Sequence, residues 1–164
     1  MFVCLLSFVS VNVQATEYIK PADFIKNSFE GNPSIKSIWI KEDQQTVAKS
    51  IFGHTYQGLR VRYWQLGSKT TWILDEIGKE QPITVGIVID QNRIEKVAIL
   101  AFREYRGGEV RHAFFTKQFV DATIDQEHEL DTNIDGISGA TLSVRAVSRV
   151  SRYALYLHSL VQAV

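Results

Sequence analysis

The sequence predicts an α+β domain in which an antiparallel sheet, built from two hairpins, is flanked by helices. Residues 59–74 and 83–102 each contain two runs of alternating apolar and polar side chains, separated by a short turn signal. Helical patterns lie before and after these hairpins rather than between successive strands, which argues against a parallel sheet. At 164 residues, the chain is long enough for one domain with its own core.

The segment before the hairpins carries two helical patterns. Residues 21–29 predict a short helix, whose first turn accepts a proline. Residues 42–52 place apolar side chains at helical spacing, and Gly53 is a suitable helix stop. Between these helices, residues 35–40 fit either a strand or irregular structure. Because so few residues cannot hold a core alone, residues 16–57 are expected to form an N-terminal helical extension packed on the domain.

Each hairpin has its own turn signal. In the first, a Gly-Ser pair separates residues 59–64 from residues 70–74. In the second, which is the clearer of the two, residues 83–89 pair with residues 94–102 across the turn at residues 90–92. The three tryptophans are expected in the core or on a sheet face: Trp39, Trp64 and Trp72.

The C-terminal part is predicted to be helical. Gly107 and Gly108 end the strand region, and residues 109–120 predict a helix. Four apolar side chains of that helix are expected to face inward: Val110, Phe114, Phe115 and Phe119. A polar loop at residues 125–133 then leads to a last amphipathic helix over residues 142–160.

Composition excludes several classes of function. Lys and Arg together number 18, as do Asp and Glu, so no basic excess indicates a nucleic-acid partner. The four histidines are scattered without ligand spacing, and we expect no metal site. Cys4 is the only cysteine and Met1 the only methionine, so disulfides, iron–sulfur clusters and covalent haem are not expected. A redox role would therefore require an organic cofactor.

The first fifteen residues resemble an export signal. They carry no charged side chain, and the apolar run ends in Val13-Gln14-Ala15, a small-residue cleavage pattern. We expect residues 1–15 to be a signal peptide that is cleaved before Thr16. A buried N-terminal strand or an uncleaved anchor is the alternative. The protein is accordingly expected on the periplasmic or cell-surface side of the membrane.

The most informative motif is Asp-Gly-Ile-Ser-Gly-Ala-Thr-Leu-Ser at residues 135–143, directly before the last helix. A helix start offers unpaired backbone N–H groups and the positive end of the helix dipole, both of which suit a phosphate. Gly139 and Ala140 keep side-chain bulk away, so that another molecule can approach the backbone. An ordinary loop with Ser138 or Thr141 as the helix cap is the alternative.

Residues 135–141 resemble the flavinylation signal of the FMN-binding domain family. This family includes the C subunit of the sodium-pumping NADH:quinone oxidoreductase, the G subunit of the Rnf complex and many small exported flavoproteins. The resemblance covers about residues 77–158. Together with the signal peptide predicted at residues 1–15, it divides the chain into an extension with the first hairpin at residues 16–76, packed on the core, and an FMN-binding domain at residues 77–164.

The resemblance also implies the cofactor and the way in which it is attached. In the family, an FAD:protein FMN transferase joins the phosphate of FMN to the motif's threonine, which corresponds here to Thr141. Asp135 and Ser138 would shape the turn and serve as recognition points, beside Gly139 and Ala140. The chain would be the acceptor of the flavin, since the transferase supplies magnesium and the catalytic groups, and a threonine hydroxyl is a poor nucleophile by itself.

Three further residues are candidates for cofactor contacts. Glu104 matches the family's glutamate before a glycine-containing loop near the flavin ring, although the usual Thr-Pro after it is replaced by Tyr-Arg. Tyr105 would either stack on the flavin or cover the sheet edge. Arg145 lies one turn beyond Thr141 and would pair with the phosphate. Alternatively, Arg145 belongs to a solvated basic face of the helix.

The resemblance predicts a redox carrier rather than a turnover enzyme. The expected function is an exported electron-transfer flavoprotein that carries covalent FMN between a membrane donor and an extracytoplasmic acceptor. A flavin-bearing sensor or assembly module of a respiratory membrane complex is one alternative. A flavin reductase acting on a small molecule is the other.

Overall fold

The computed structural model describes residues 16–162, in which six strands form one antiparallel sheet in the order β1-β6-β5-β4-β3-β2. The predicted signal peptide lies outside the described residues. The strands are β1 (Thr16–Glu17), β2 (Ser34–Trp39), β3 (Arg60–Leu66), β4 (Lys69–Ile77), β5 (Pro82–Asp90) and β6 (Arg93–Phe102). The α-helices are α1 (Pro21–Lys26), α2 (Glu42–Phe52), α3 (Ala113–Thr116) and α4 (Thr141–Gln162). This architecture confirms the predicted α+β class and antiparallel sheet.

Both predicted hairpins are present, and the last strand of the first hairpin, β4, pairs with the first strand of the second, β5. Strands β3 and β4 flank a two-residue Gly-Ser turn, and β5 and β6 flank Gln91 and Asn92. Gln91 and Asn92 both have positive φ, the combination that matches the twist of antiparallel strands. The turn at residues 78–81 connects β4 to β5, so the four strands form one continuous meander.

The N-terminal segment contributes strands as well as helices, so residues 16–57 do not form a purely helical extension. Residues 35–40, for which the sequence left two possibilities, belong largely to β2, which pairs with β3 along its whole length. The short β1 pairs with β6 at the other edge of the sheet. Helix α2 ends as expected at Gly53, whose φ is 76°.

The predicted helix over residues 109–120 is wrong as a continuous element. A 3₁₀ turn at Gly108–Arg111, the four-residue α3 and a second 3₁₀ turn at Lys117–Phe119 replace it. The break lies at His112, whose extended backbone interrupts the helical path. Phe114 is therefore 62% exposed instead of facing inward, whereas the other three predicted side chains are buried.

Helices cover the two sheet faces unequally. The main core lies between one face and helices α2 and α4, whose buried side chains pack on strands β3 to β6. On the opposite face, Phe24 of α1 packs over Val88, Ala98 and Leu100 in a second, smaller cluster. The tryptophans differ in burial: Trp72 is fully buried, Trp64 is half-buried, and Trp39 on the edge strand β2 is 63% exposed.

His158 makes the core sensitive to acid. The Trp72 indole N–H donates to the Thr70 hydroxyl, which lies 2.7 Å from Nδ1 of His158. Burial lowers the pKa of His158 from 6.5 to about 4. Between these values the unfolded chain binds a proton that the folded chain does not, so stability falls as pH decreases. When the pH falls from 7 to 4, we expect the contribution of His158 to lower the free energy of unfolding by about 3 kcal/mol.

Chemical denaturation across this pH range checks the prediction. The variant His158→Asn removes the titrating group, so its free energy of unfolding should change less between pH 7 and pH 4, even if the variant is less stable overall. An equal pH dependence in the two proteins would contradict the assignment to His158.

Candidate functional site

Thr141 is the first residue of α4 and is exposed. The loop before it closes on itself, because the Ala140 N–H donates to the Ile137 carbonyl and Gly139 adopts a φ of 79°. No side chain lies within 4 Å of where a Cβ would stand on Gly139. A small, left-handed loop therefore presents the Thr141 hydroxyl to solvent.

The first turn of α4 offers free hydrogen-bond donors. The first backbone bond of the helix runs from Val144 N–H to the Ala140 carbonyl, and the N–H groups of residues 141–143 have no partner among the described residues. Neither the Ser138 nor the Thr141 side chain makes a capping hydrogen bond within that part of the chain, as the alternative of an ordinary cap would require. The helix start is thus open to an anion.

The loop after β6 packs directly on this helix start. Gly107 has a φ of 85°, and a Cβ built on it would lie 2.4 Å from the Ser143 hydroxyl oxygen and 3.4 Å from the Ala140 Cβ. Ser143 and Ala140 are both buried beneath the loop. Only glycine allows the loop to approach the helix this closely, so Gly107 fixes the distance between residues 104–106 and Thr141.

Glu104 holds the turn at residues 78–81 against the same site. One of its carboxylate oxygens accepts the backbone N–H groups of Lys79, Glu80 and Gln81 at 2.5, 2.7 and 2.9 Å. Partial burial raises the pKa of Glu104, but the three N–H donors outweigh it and hold the pKa below its usual 4.5. The carboxylate is thereby a fixed negative charge that ties the β4–β5 turn to the end of β6.

Removing this carboxylate should loosen the turn. We expect Glu104→Ala to destabilise the fold by roughly 1–3 kcal/mol, because three N–H donors lose their acceptor. Since the pKa of Glu104 is lowered, its contribution is present above pH 4.5 and is lost as pH falls through the folded value. Hydrogen exchange at residues 79–81 measures the effect. Glu104→Gln, which keeps an acceptor oxygen, should exchange more slowly than Glu104→Ala; equal exchange in both variants would contradict the prediction.

Two adjoining cavities meet at this site. One, of about 400 Å³, is lined by Lys79, Glu80, the first residues of α4 and the loop after β6. The other, of about 490 Å³, extends from Ser138 and Gly139 towards Tyr18 and Arg111. Both are bounded by Glu104, Tyr105, Arg106 and Gly139. Volumes of this size suit a cofactor.

The structure brings most of the predicted site residues together. Five of them line the two cavities: Glu104, Ser138, Gly139, Ala140 and Thr141. Tyr105 is 68% exposed and borders both cavities, so its side chain is accessible to a ligand.

Asp135 and Arg145 are exposed and line neither cavity. The Asp135 N–H donates to the Gln118 side-chain oxygen at 2.7 Å, which anchors the start of the motif loop. Further along α4, Arg149 lies 3.8 Å from Glu76 and Arg152 pairs with Glu129, so these arginines do not form a purely solvated face. The predicted roles of Asp135 and Arg145 remain predictions.

Sequence reasoning missed the second wall of the site. Lys79 and Glu80 enter it through the turn between the hairpins, and Tyr18 and Arg111 enter it from two distant segments. The Arg111 guanidinium lies over the Tyr18 ring, 5.2 Å from its centroid. A turn signal was present at residues 78–81, but only the tertiary fold shows that Glu104 pulls this turn to the site.

Within residues 16–162, no group of three or more His, Cys, Asp or Glu side chains is arranged to hold a metal ion. None of the helices in that range combines the length and the apolar character needed to cross a bilayer.

Comparison with known proteins identifies the domain that contains this site. No curated protein matches the chain significantly. Residues 78–156 match the family model of the FMN-binding domain, a range that includes Glu104, the whole motif loop and most of α4. The open helix start and the glycine-mediated contact lie inside this range, and so do all residues that line the two cavities except Tyr18. The chain therefore contains a domain that belongs to the FMN-binding domain family.

Proposed function

We propose that this protein is an exported electron-transfer flavoprotein whose FMN is attached covalently through its phosphate to Thr141. The observation that carries the proposal is the exposed Thr141, which lines one of two adjoining cavities beside three N–H groups that have no partner among residues 16–162. The family assignment supports FMN as the cofactor.

The residues present fit FMN. The phosphate would lie at the start of α4, where the free N–H groups of residues 141–143 and the helix dipole favour negative charge by roughly 0.3–1 kcal/mol. The flavin ring would extend into the cavities bordered by Tyr105 and the Glu104-anchored turn. Because the dipole contribution is small, a covalent bond rather than affinity would retain the cofactor in an open extracytoplasmic compartment.

Attachment would require a separate FAD:protein FMN transferase. The Thr141 oxygen would form a bond to the FMN phosphorus of FAD, the pyrophosphate bond would break, and AMP would leave while the hydroxyl proton passes to a base of the transferase. Within the described residues, no histidine or carboxylate hydrogen-bonds the Thr141 hydroxyl. Activation by the partner enzyme is consistent with an acceptor loop that presents its threonine outward.

Bound FMN supplies the ability to exchange one or two electrons. The chain's own residues would hold and orient it: Gly107 sets the spacing of the two walls, and Glu104 fixes the turn that closes one side. The electrons would come from a membrane donor and pass to an extracytoplasmic acceptor. Cleavage of residues 1–15 before Thr16 would complete export.

Co-expression with an FAD:protein FMN transferase tests the attachment. The purified protein should be yellow after denaturation, and peptide mapping should place one FMN on the peptide that contains Thr141. A colourless protein, or flavin lost on denaturation, would contradict covalent attachment.

Assays with redox partners distinguish the three candidate functions. A carrier should be reduced by energised membranes and reoxidised by an exported acceptor, with little turnover alone. Rapid reduction of a defined small molecule by the purified holoprotein would instead favour a flavin reductase. Stable association with a membrane subunit without electron flow would favour a sensor or assembly module.

A further inference from the structure

The sheet is split on the side of the molecule where β3 and β4 diverge. Their ladder runs from the turn only as far as the pair Tyr63–Trp72. Beyond it, residues 60–62 pair with β2 alone, and residues 73–77 pair with β5 alone. The gap between the two strands, here called the fork cleft, has a volume of about 600 Å³.

Across the fork cleft, the unpaired edges of β3 and β4 face each other. In an antiparallel strand, every second residue directs its backbone N–H and C=O groups at the same neighbouring strand. Counted from the β3–β4 turn, Arg60 and Arg62 are among the residues whose groups point towards β4. The neighbouring Leu59 confirms this alternation, because its carbonyl accepts the Ile40 N–H on the opposite side. By the same count, Ile73 and Asp75 of β4 point back into the cleft. These groups have no ladder partner in the described part of the chain.

The side chains around the fork cleft are mainly apolar and include two arginines, of which Arg60 also lies over the Trp39 ring, 5.7 Å from its centroid. Trp64, Ile73 and Ile77 line its walls on the sheet face that α1 leaves partly open. Arg60 and Arg62 are exposed, and within residues 16–162 no carboxylate lies within 4.0 Å of either guanidinium. The arginines therefore give this apolar slot a preference for a negatively charged occupant.

Two carboxylates, Asp75 and Glu76, also line the cleft, and each has a hydrogen-bond or ion-pair partner other than Arg60 and Arg62. Glu76 is buried and lies 3.1 Å from His54 and 3.8 Å from Arg149. Asp75 accepts a hydrogen bond from the Thr84 hydroxyl at 2.5 Å. If the β3–β4 register continued, Arg60 would stand opposite Asp75, yet the divergence of the strands keeps this ion pair from forming. The separation of the strands therefore leaves unpaired backbone groups and arginines without a carboxylate partner in the same cleft.

We propose that the fork cleft binds an extended peptide segment of a partner protein, with an acidic side chain directed at Arg60 and Arg62. The segment adds as a strand to the free edge of β4, where main-chain hydrogen bonds supply affinity. Its apolar side chains contact Trp64, Ile73 and Ile77. The turn at residues 78–81 separates this cleft from the FMN-binding site, so the bound segment holds its protein beside the cofactor.

A labelled seven-residue peptide, Thr-Val-Thr-Glu-Thr-Val-Thr, is the probe, because its Val and Glu side chains share one face of a strand, as Arg60, Arg62 and Ile73 do in the sheet. Fluorescence anisotropy with the full holoprotein is the measurement. We expect binding that weakens at least about tenfold when Lys replaces the peptide's Glu, and similarly when alternate backbone nitrogens are methylated. The variant Arg62→Glu should lose at least about tenfold in affinity. Lys49→Glu, an exposed charge reversal in α2, is the matched control and should bind normally.

Three results would overturn the proposal: no binding of the probe, equal binding of the Lys peptide, or unchanged binding by Arg62→Glu. Self-association of the chain that Arg62→Glu abolishes would assign the cleft to a second copy instead. Circular dichroism verifies that both variants fold. The same titration with the Thr141→Ala protein makes the test independent of covalent FMN, so the two proposals can fail separately.

Discussion

Replacing Thr141 with Ala should abolish covalent flavin completely. The methyl group offers no oxygen for a phosphoester, and within the described residues only Thr141 combines a hydroxyl with the first position of α4. Intact-mass spectrometry after co-expression with the transferase should show the unmodified chain, and the denatured protein should be colourless. Stability should change little, because Thr141 is exposed and its side chain makes no hydrogen bond among residues 16–162.

Two matched variants show whether this loss is specific. Thr141→Ser retains a hydroxyl at the same helix position and should still accept FMN, although its loading can be slower. Ser138→Ala removes the other hydroxyl of the loop, which borders the second cavity. It should keep a flavin that survives denaturation, with reduced loading if the transferase recognises Ser138. Full-stoichiometry flavin in denatured Thr141→Ala, or its transfer to Ser138, would refute the assignment of the attachment site.

Replacing Gly107 with Ala should disrupt both the fold and the cofactor site. The new Cβ would stand 2.4 Å from the Ser143 hydroxyl oxygen, at a φ of 85° that L-residues seldom adopt. Backbone strain and overpacking each cost about 1–3 kcal/mol, so a loss of about 2–6 kcal/mol is expected. Chemical denaturation measures this loss, and the loop after β6 should move away from α4 and reduce FMN loading.

Gly136 provides the comparison for this prediction. A Cβ added to Gly136 would meet no atom within 4 Å, and the residue has no positive φ, so Gly136→Ala should be nearly neutral for stability. Combining Gly107→Ala with Ser143→Ala removes the closest oxygen and should recover part, though not all, of the loss, because the φ strain remains. A Gly107→Ala protein as stable as Gly136→Ala would contradict the close packing of loop and helix.

The sheet could be predicted where its pattern is local. Strands β3 to β6 follow from alternation over short distances and from turn residues next to them, and their bounds in the structure extend the predicted ones by a few residues. By contrast, β2 and the two-residue β1 depend on partners that lie far along the chain. Residues 109–120 had helical spacing, but the extended backbone at His112 redirects them, a conformation set by packing rather than by periodicity.

The site was predictable where one segment carries it. Residues 138–141 are adjacent, and their small side chains before a helix indicate an anion site without further context. In the wall opposite, Glu104 was predicted only through the family resemblance. The turn at residues 78–81 and Tyr18 were not predicted, since they meet Glu104 only through strand order. The fork cleft was not predictable either, because the alternating pattern identifies β3 and β4 but does not show where their hydrogen-bond ladder ends.

The sequence by itself determined the α+β class, the two hairpins, and a threonine at the start of a long helix, because each depends on side chains within one turn or one hairpin of each other. Only the tertiary structure decided what surrounds that threonine. The contact of Gly107 with Ser143 and the capture of three N–H groups by Glu104 join segments that are distant in sequence. Such contacts form only when the meander and α4 pack together, and no local pattern encodes them.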